Sequence, residues 1–175
     1  MEHSMDYLIE NVYVDTEKML RQMHKKLLRK RVVFWAVVMM AMGLLFLFFG
    51  VALNKPSYFW WAMAYAALAA WYLTMPYRSA KKAYKNMLKY YDGNIPETVV
   101  RFGDTITFTQ GNGVNPVPYN KLKQVSILKD CLLLYNEIGG AYMLANDGFT
   151  KGSMQEMFVL LKKQCPEIKL PDWQW

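Results

Sequence analysis

Two uncharged apolar runs restrict this chain more than any other feature of it. Val32 to Leu53 is twenty-two residues without a charge, and Pro56 to Met75 is twenty more. A hydrocarbon core of ~30 Å takes about 20 apolar residues at 1.5 Å each, so both runs are long enough to cross a membrane. A soluble chain of 175 residues has too little interior to bury two such helices. Composition agrees: 54% of residues are hydrophobic while mean hydropathy is ordinary, so the apolar residues are segregated into one part of the chain. The first run begins thirty residues in, exceeds the length of a signal-peptide core and lacks a small-x-small cleavage site. The expectation is a transmembrane hairpin kept in the mature protein.

The flanks predict its orientation. Lys18, Arg21, Lys25, Lys26, Arg29, Lys30 and Arg31 precede the first run, and Arg78, Lys81, Lys82, Lys85 and Lys89 follow the second, whereas the connecting loop carries Lys55 alone. Basic residues beside a span resist translocation, so both ends are expected in the cytosol, in a multi-pass protein of the cytoplasmic membrane. These twelve residues exceed the whole formal charge of +7, and from Asp92 onward eight Lys plus Arg face nine Asp plus Glu, a net of −1. That distribution argues against a nucleic-acid module, whose basic patch would lie on the folded domain. It suits membrane lipids as partners, with Lys25, Lys26, Arg29, Lys30, Arg31, Arg78, Lys81, Lys82 and Lys85 as candidate contacts to anionic headgroups. Setting topology is the plainer use of the same charges.

The remaining segments divide by pattern. Residues 1–15 contain a strand-like stretch, Asp6 to Val14, that is a candidate to complete the cytosolic sheet. Asp15-Thr16-Glu17 supplies a cap and an acidic first turn for a basic juxtamembrane helix over 16–31, with Met19, Leu20, Met23, Leu27 and Leu28 on one stripe. Spans over 32–53 and 58–75 follow, joined by an external loop at 54–57, and then a second basic helix over 76–91. Asp92-Gly93-Asn94-Ile95-Pro96 ends that helix, and residues 96–170 read as short strands separated by turns. Thr98–Phe102 and Thr105–Gln110 are expected to pair across a two-residue turn at Gly103-Asp104. Val117–Tyr119, Leu122–Leu128, Cys131–Asn136 and Ala141–Ala145 follow, giving five or six strands in an antiparallel meander. Ser153 and Glu156 form a capping box for a last helix with Met154, Met157, Phe158, Leu161 and Cys165 facing the core. The expected fold is therefore an α+β membrane protein: a two-helix transmembrane hairpin plus a small antiparallel sheet or barrel, like that of a pleckstrin-homology (PH) domain, capped by a C-terminal helix. The tail at 171–175 carries Trp173 and Trp175, either a lid over the sheet or a docking segment.

This layout resembles the YcxB-like family of small bacterial membrane proteins. The resemblance rests on Arg101-Phe102-Gly103-Asp104-Thr105-Ile106, on Tyr119-Asn120-Lys121-Leu122-Lys123-Gln124-Val125, and on Leu132-Leu133-Leu134-Tyr135 and Ala141-Tyr142-Met143-Leu144, followed by Phe149 and the terminal helix. These are patterns of residue type, and they cover nearly the whole chain. The resemblance implies a PH-like cytosolic domain and brings no catalytic residues.

Chemistry-bearing motifs are sparse. His3 and His24 lack companions at ligand spacing, so no metal site is expected. Cys131 and Cys165 read as small core residues without a His partner. Gly111-Asn112-Gly113 lacks the Lys-Ser/Thr of a phosphate loop and reads as a turn, as does Asn146-Asp147-Gly148. The apolar runs hold no ionisable residue, which speaks against an ion pathway. Ala36, Gly43 and Gly50 recur every seven residues in the first run, and Ala62, Ala66 and Ala70 every four in the second. These small residues are candidate packing positions within the hairpin, a homodimer face being the alternative. The expected function is that of a non-enzymatic, cofactor-free membrane-anchored module that binds a protein partner through its cytosolic domain. Sensing of anionic lipids comes second and an unrecognised enzyme third.

Overall fold

A computed structural model describes residues 8–171. The expectations placed on Asp6 and Tyr7, on His3 and on the Trp173–Trp175 tail lie outside the described residues. The chain is α+β, with antiparallel sheets and one helix long and apolar enough to cross a membrane. It divides into two units, residues 24–84 and the remainder.

The α+β unit is assembled from both ends of the chain. β1 (Ile9–Tyr13) pairs with β2 (Thr98–Phe102) on one side and with β8 (Phe149–Lys151) on the other. With β3 (Ile106–Gln110) and β4 (Gly113–Val117), these strands form a sheet in the order β4-β3-β2-β1-β8. β5 (Leu122–Ile127), β6 (Cys131–Asn136) and β7 (Ala141–Ala145) form a second, three-stranded sheet. Neither sheet closes on itself. The core between them contains Val100, Phe102, Ile106, Leu132, Leu134 and Leu144, all fully buried. α4 (Met154–Gln164) adds Met157, Phe158 and Leu161 to that core, with Leu160 beside them and Met154 and Cys165 partly buried against it. The Ser153 hydroxyl accepts the Glu156 amide at 3.2 Å, as an N-cap does.

Several boundaries differ from the sequence reading, for identifiable reasons. The β2–β3 turn has three residues, Gly103 to Thr105, because Phe102 and Ile106 are cross-strand partners and both are fully buried. Pairing them on the core face pushes Thr105 into the turn. The strand expected at Val117–Tyr119 lies earlier, as β4, and stops at Val117. Pro118 has no N–H to continue the ladder, and a 3₁₀ turn at Tyr119–Lys121 follows. β8 is a three-residue strand that no alternation announced, so residues 96–170 hold seven strands where five or six were expected.

Two side chains join the sheets. Asn11, fully buried, donates from Nδ2 to the Ala145 carbonyl at 2.9 Å and accepts the Ala145 amide at 3.2 Å. Two residues on, the Tyr13 hydroxyl donates to the Met143 carbonyl. Together they occupy outward backbone groups of β7, which would otherwise be an unpaired sheet edge. Gly148 sits against this joint: a Cβ there would lie 2.7 Å from the Val12 carbonyl oxygen and 3.0 Å from Asn11 Oδ1.

α1 (Glu17–Ala52) is continuous through both the juxtamembrane segment and the first apolar run. Thr16 caps it, its hydroxyl accepting the Met19 amide at 3.2 Å. In the α+β unit its first turns are held by Asp130 in the β5–β6 turn, which accepts from Lys18 at 2.9 Å and from the Gln22 side-chain amide. The Asp130 amide in turn donates to Gln22 Oε1 at 3.2 Å. α1 ends where Asn54 takes a left-handed conformation (φ 48°) and Lys55 N–H reaches back to the Gly50 carbonyl, a Schellman turn.

In the helical unit α2 (Ser57–Leu73) runs back along α1. It has 17 residues, about 25 Å at 1.5 Å each. The second apolar run, expected as one span to residue 75, is thus interrupted. Pro76 cannot donate to the Tyr72 carbonyl, the Thr74 amide turns to Trp71 and Tyr72, and α3 (Met75–Tyr90) restarts the helix. His24 on α1 meets Ser79 on α3, Nδ1 to Oγ 2.9 Å, and Ser79 donates onward to the Pro76 carbonyl.

Candidate functional site

The sequence-derived positions fall into two groups. Ala36, Gly43 and Gly50 lie on the buried side of α1, four and then seven residues beyond the buried Val32. A Cβ on Gly43 would sit 3.5 Å from the Ala62 carbonyl, and one on Gly50 3.3 Å from Tyr58 Cβ, so α2 approaches α1 where side chains are smallest. On α2 the buried positions are Ala62 and Ala69, whereas Ala66 and Ala70 are exposed. The every-four reading of that stripe is corrected: two helices crossing at a shallow angle meet once in seven residues. Phe46 fills the wider part of the interface, 5.4 Å from Tyr65 and 6.0 Å from Tyr58 between ring centroids.

Lys25, Lys26, Arg29, Lys30 and Arg31 on α1, and Arg78, Lys81, Lys82 and Lys85 on α3, are all exposed. None forms an ion pair with another described residue. The Arg78 guanidinium lies 3.6 Å from the Trp71 ring centroid and also reaches the Trp71 carbonyl at 3.4 Å. This anchors one cation at the start of α3 against an aromatic face.

A cleft in the α+β unit brings together residues that the sequence reading left apart. Its volume is about 460 Å³. The end of β1, the first turns of α1, the last turn of α3, β3, β4 and the β7 edge all contribute to its walls. Four rings line it: Tyr13, Tyr91, Phe108 and Tyr142, with Phe108 and Tyr142 stacked at 4.7 Å. Met23, Met87 and Met143 fill between them.

Among the described residues Asp15 is the one acidic residue of the lining, and none of them that lines it is basic. The residue is buried, 9% exposed. Its Oδ2 accepts from Gln110 Nε2 at 2.9 Å and from Thr98 Oγ1 at 3.3 Å. Gln110 is steadied in turn by the Tyr91 hydroxyl at 3.4 Å. Both donors to the carboxylate are neutral. Burial therefore dominates and pushes the Asp15 carboxyl above its ordinary range, the two hydrogen bonds offsetting only part of that cost. The same burial, with Asp15 nearby, pushes the Tyr13 phenol far above its ordinary value, so it stays a protonated donor. Cys131, at the start of β6, is pushed up to about 11 by burial and by Asp130 and Asp15, and is a thiol at neutral pH.

The sequence reading used Asp15 only as part of the Asp15-Thr16-Glu17 helix start, whose cap Thr16 provides, and so did not single it out as a site residue. The signal was present in the alternation. Ile9, Asn11, Tyr13 and Asp15 form the inward row of β1 and its extension, and that row changes from apolar to polar toward α1.

A second concavity of about 580 Å³ lies beside α4, between Leu8, Ile9, Val159 and Leu160. It is mostly apolar. Comparison with family models, with curated proteins and with solved structures finds no match to this chain.

Proposed function

We propose that this chain is a membrane-anchored, non-enzymatic binding module of the YcxB-like type, whose PH-like α+β unit takes a protein segment at the cleft beside β7. In this reading α1 and α2 cross the cytoplasmic membrane as a hairpin, residues 74 and 75 completing the short second span, and both ends stay in the cytosol. The outward faces of the helices suit that medium: Phe34, Leu44, Phe48, Val51, Trp60 and Met63 are all more than half exposed in the protein alone. Two antiparallel sheets, of five and three strands, with a closing helix support the PH-like assignment.

One observation carries the binding role. β7 is the outer strand of its sheet and its Ala141–Met143 stretch borders an open aromatic cleft. Asn11 and Tyr13 already hold the Ala145 and Met143 end of β7, so an extended segment entering there meets the Ala141 end of β7, the outer strand β4 at Gly113–Asn115, and rings for its side chains, as in β-strand addition. The nine exposed, ion-pair-free basic residues support lipid sensing as a second reading.

A photo-crosslinker at Val114, on the exposed outer strand β4 beside the cleft, tests the choice, with Ile138 on the exposed β6–β7 turn, outside the cleft lining, as control. A protein adduct from position 114, absent at 138 and retained when Lys81, Lys82 and Lys85 are changed to Gln, supports the binding module. Lipid adducts alone, lost with those lysines, would replace it with lipid sensing. The topology is tested separately. A Cys at Lys55 should react with an impermeant maleimide in intact cells, and one at Ile138 only after permeabilisation.

A further inference from the structure

We infer that the open cleft lined by the rings of Tyr13, Tyr91, Phe108 and Tyr142 is a site for an organic cation, an ammonium or guanidinium group held by Asp15. Three independent features converge on that chemistry. The first is the carboxylate: Asp15 is buried, receives hydrogen bonds only from the neutral Gln110 and Thr98, and has no Lys, Arg or His partner among the described residues. Burying a carboxylate without a counter-charge is costly, and a cation entering the cleft removes that cost. The second is the wall. Aromatic faces carry negative potential, and a cation set among several of them is attracted by each, as in the cages that hold alkylated ammonium groups. The third is the character of the described lining: among the described residues no Lys, Arg or His competes for the position. An anion would meet the Asp15 carboxylate beside electron-rich rings, and a neutral apolar ligand would leave the carboxylate unpaired.

The inference does not require the protein partner proposed above, because the cation can be a free amine or the Lys or Arg side chain of a bound segment. The experiment separates these sources. The full chain in lipid nanodiscs is titrated with tetramethylammonium, spermidine and N-acetyl-arginine amide, with N-acetyl-citrulline amide as the uncharged isostere. Binding is followed by calorimetry and by shifts of labelled tyrosine resonances. The cations are expected to bind and the citrulline compound not to. Asp15→Asn keeps an oxygen that accepts from Gln110 and Thr98 but loses the charge, and should weaken cation binding at least about tenfold. Tyr142→Leu, which tests the wall should Asp15→Asn fold poorly, should weaken it by about threefold to tenfold. Arginine in an extended pentapeptide binding at least about tenfold better than the free amide would assign the cation to a partner's side chain, since added strand contacts contribute. Equal affinities would assign it to a free amine. Equal binding of the arginine and citrulline amides, or cation binding indifferent to Asp15→Asn and Tyr142→Leu in folded protein, would overturn the inference.

Discussion

Replacing Asn11 with Leu tests the joint on which the α+β unit depends. Asn11 is fully buried and its side-chain amide satisfies both the N–H and the C=O of Ala145, at 3.2 and 2.9 Å. Leu is of similar volume, so the substitution creates little cavity and isolates the polar effect. It leaves two backbone groups of a 5% exposed residue without partners. Each orphaned buried group costs about 1–3 kcal/mol, so the expected loss is about 2–6 kcal/mol. A domain of this size has about 5–15 kcal/mol in total, so a large part of its stability is at stake. Hydrogen exchange of the full chain in micelles, read on peptides covering residues 141–145, is the direct assay. Protection there should fall by at least about thirtyfold, given about 1.4 kcal/mol per factor of ten. Peptides from α1 beyond residue 24 serve as the reference and should be unchanged. A drop of less than tenfold in the β7 peptides would refute the argument that side chains of β1 hold that edge.

Three further outcomes are expected. Gly148→Ala places a Cβ 2.7 Å from the Val12 carbonyl oxygen, a backbone atom with no easy retreat, and should destabilise the unit by about 2 kcal/mol or more, seen as a lowered urea midpoint. Gly43→Ala should be tolerated, its nearest neighbours being 3.5 Å away, while Gly43→Leu should lower the melting temperature of the helical unit in detergent by forcing α2 outward. Asp15→Asn addresses pH. The folded state holds the Asp15 proton more tightly than the unfolded chain, so its contribution favours folding below the unfolded pKa and is lost as pH rises through the folded one. The Asn variant should therefore be more stable than the native chain at about pH 7.5, with the difference closing toward about pH 4. Equal melting curves at both values would count against a buried, uncompensated carboxylate.

The legibility of this protein followed the range of its interactions. The apolar runs, the basic flanks, the Thr16 and Ser153 helix starts and the core stripe of α4 were readable because each rests on residues within one or two turns of one another. The every-four stripe on α2 failed, since which alanines are buried depends on the angle at which α1 crosses. The break at Thr74 was visible in Pro76 but was read as a boundary of function instead of as a lost hydrogen bond.

The amino-acid sequence alone determined where helix gives way to strand, which segments are too apolar for water, and that the C-terminal part is antiparallel. These follow from periodicity, charge and turn residues, which act locally. Only the tertiary structure decided that β1 lies between β2 and β8, making the helices an insertion into one unit, because strand pairing joins residues about ninety positions apart on one side and about 140 on the other, with no local pattern to mark it. The cleft was decided the same way. Asp15, Gln110, Thr98, Tyr91 and Tyr142 come from five separate elements or connections. Their shared character, a carboxylate without a counter-charge among aromatic rings, arises from the burial that folding imposes on them together.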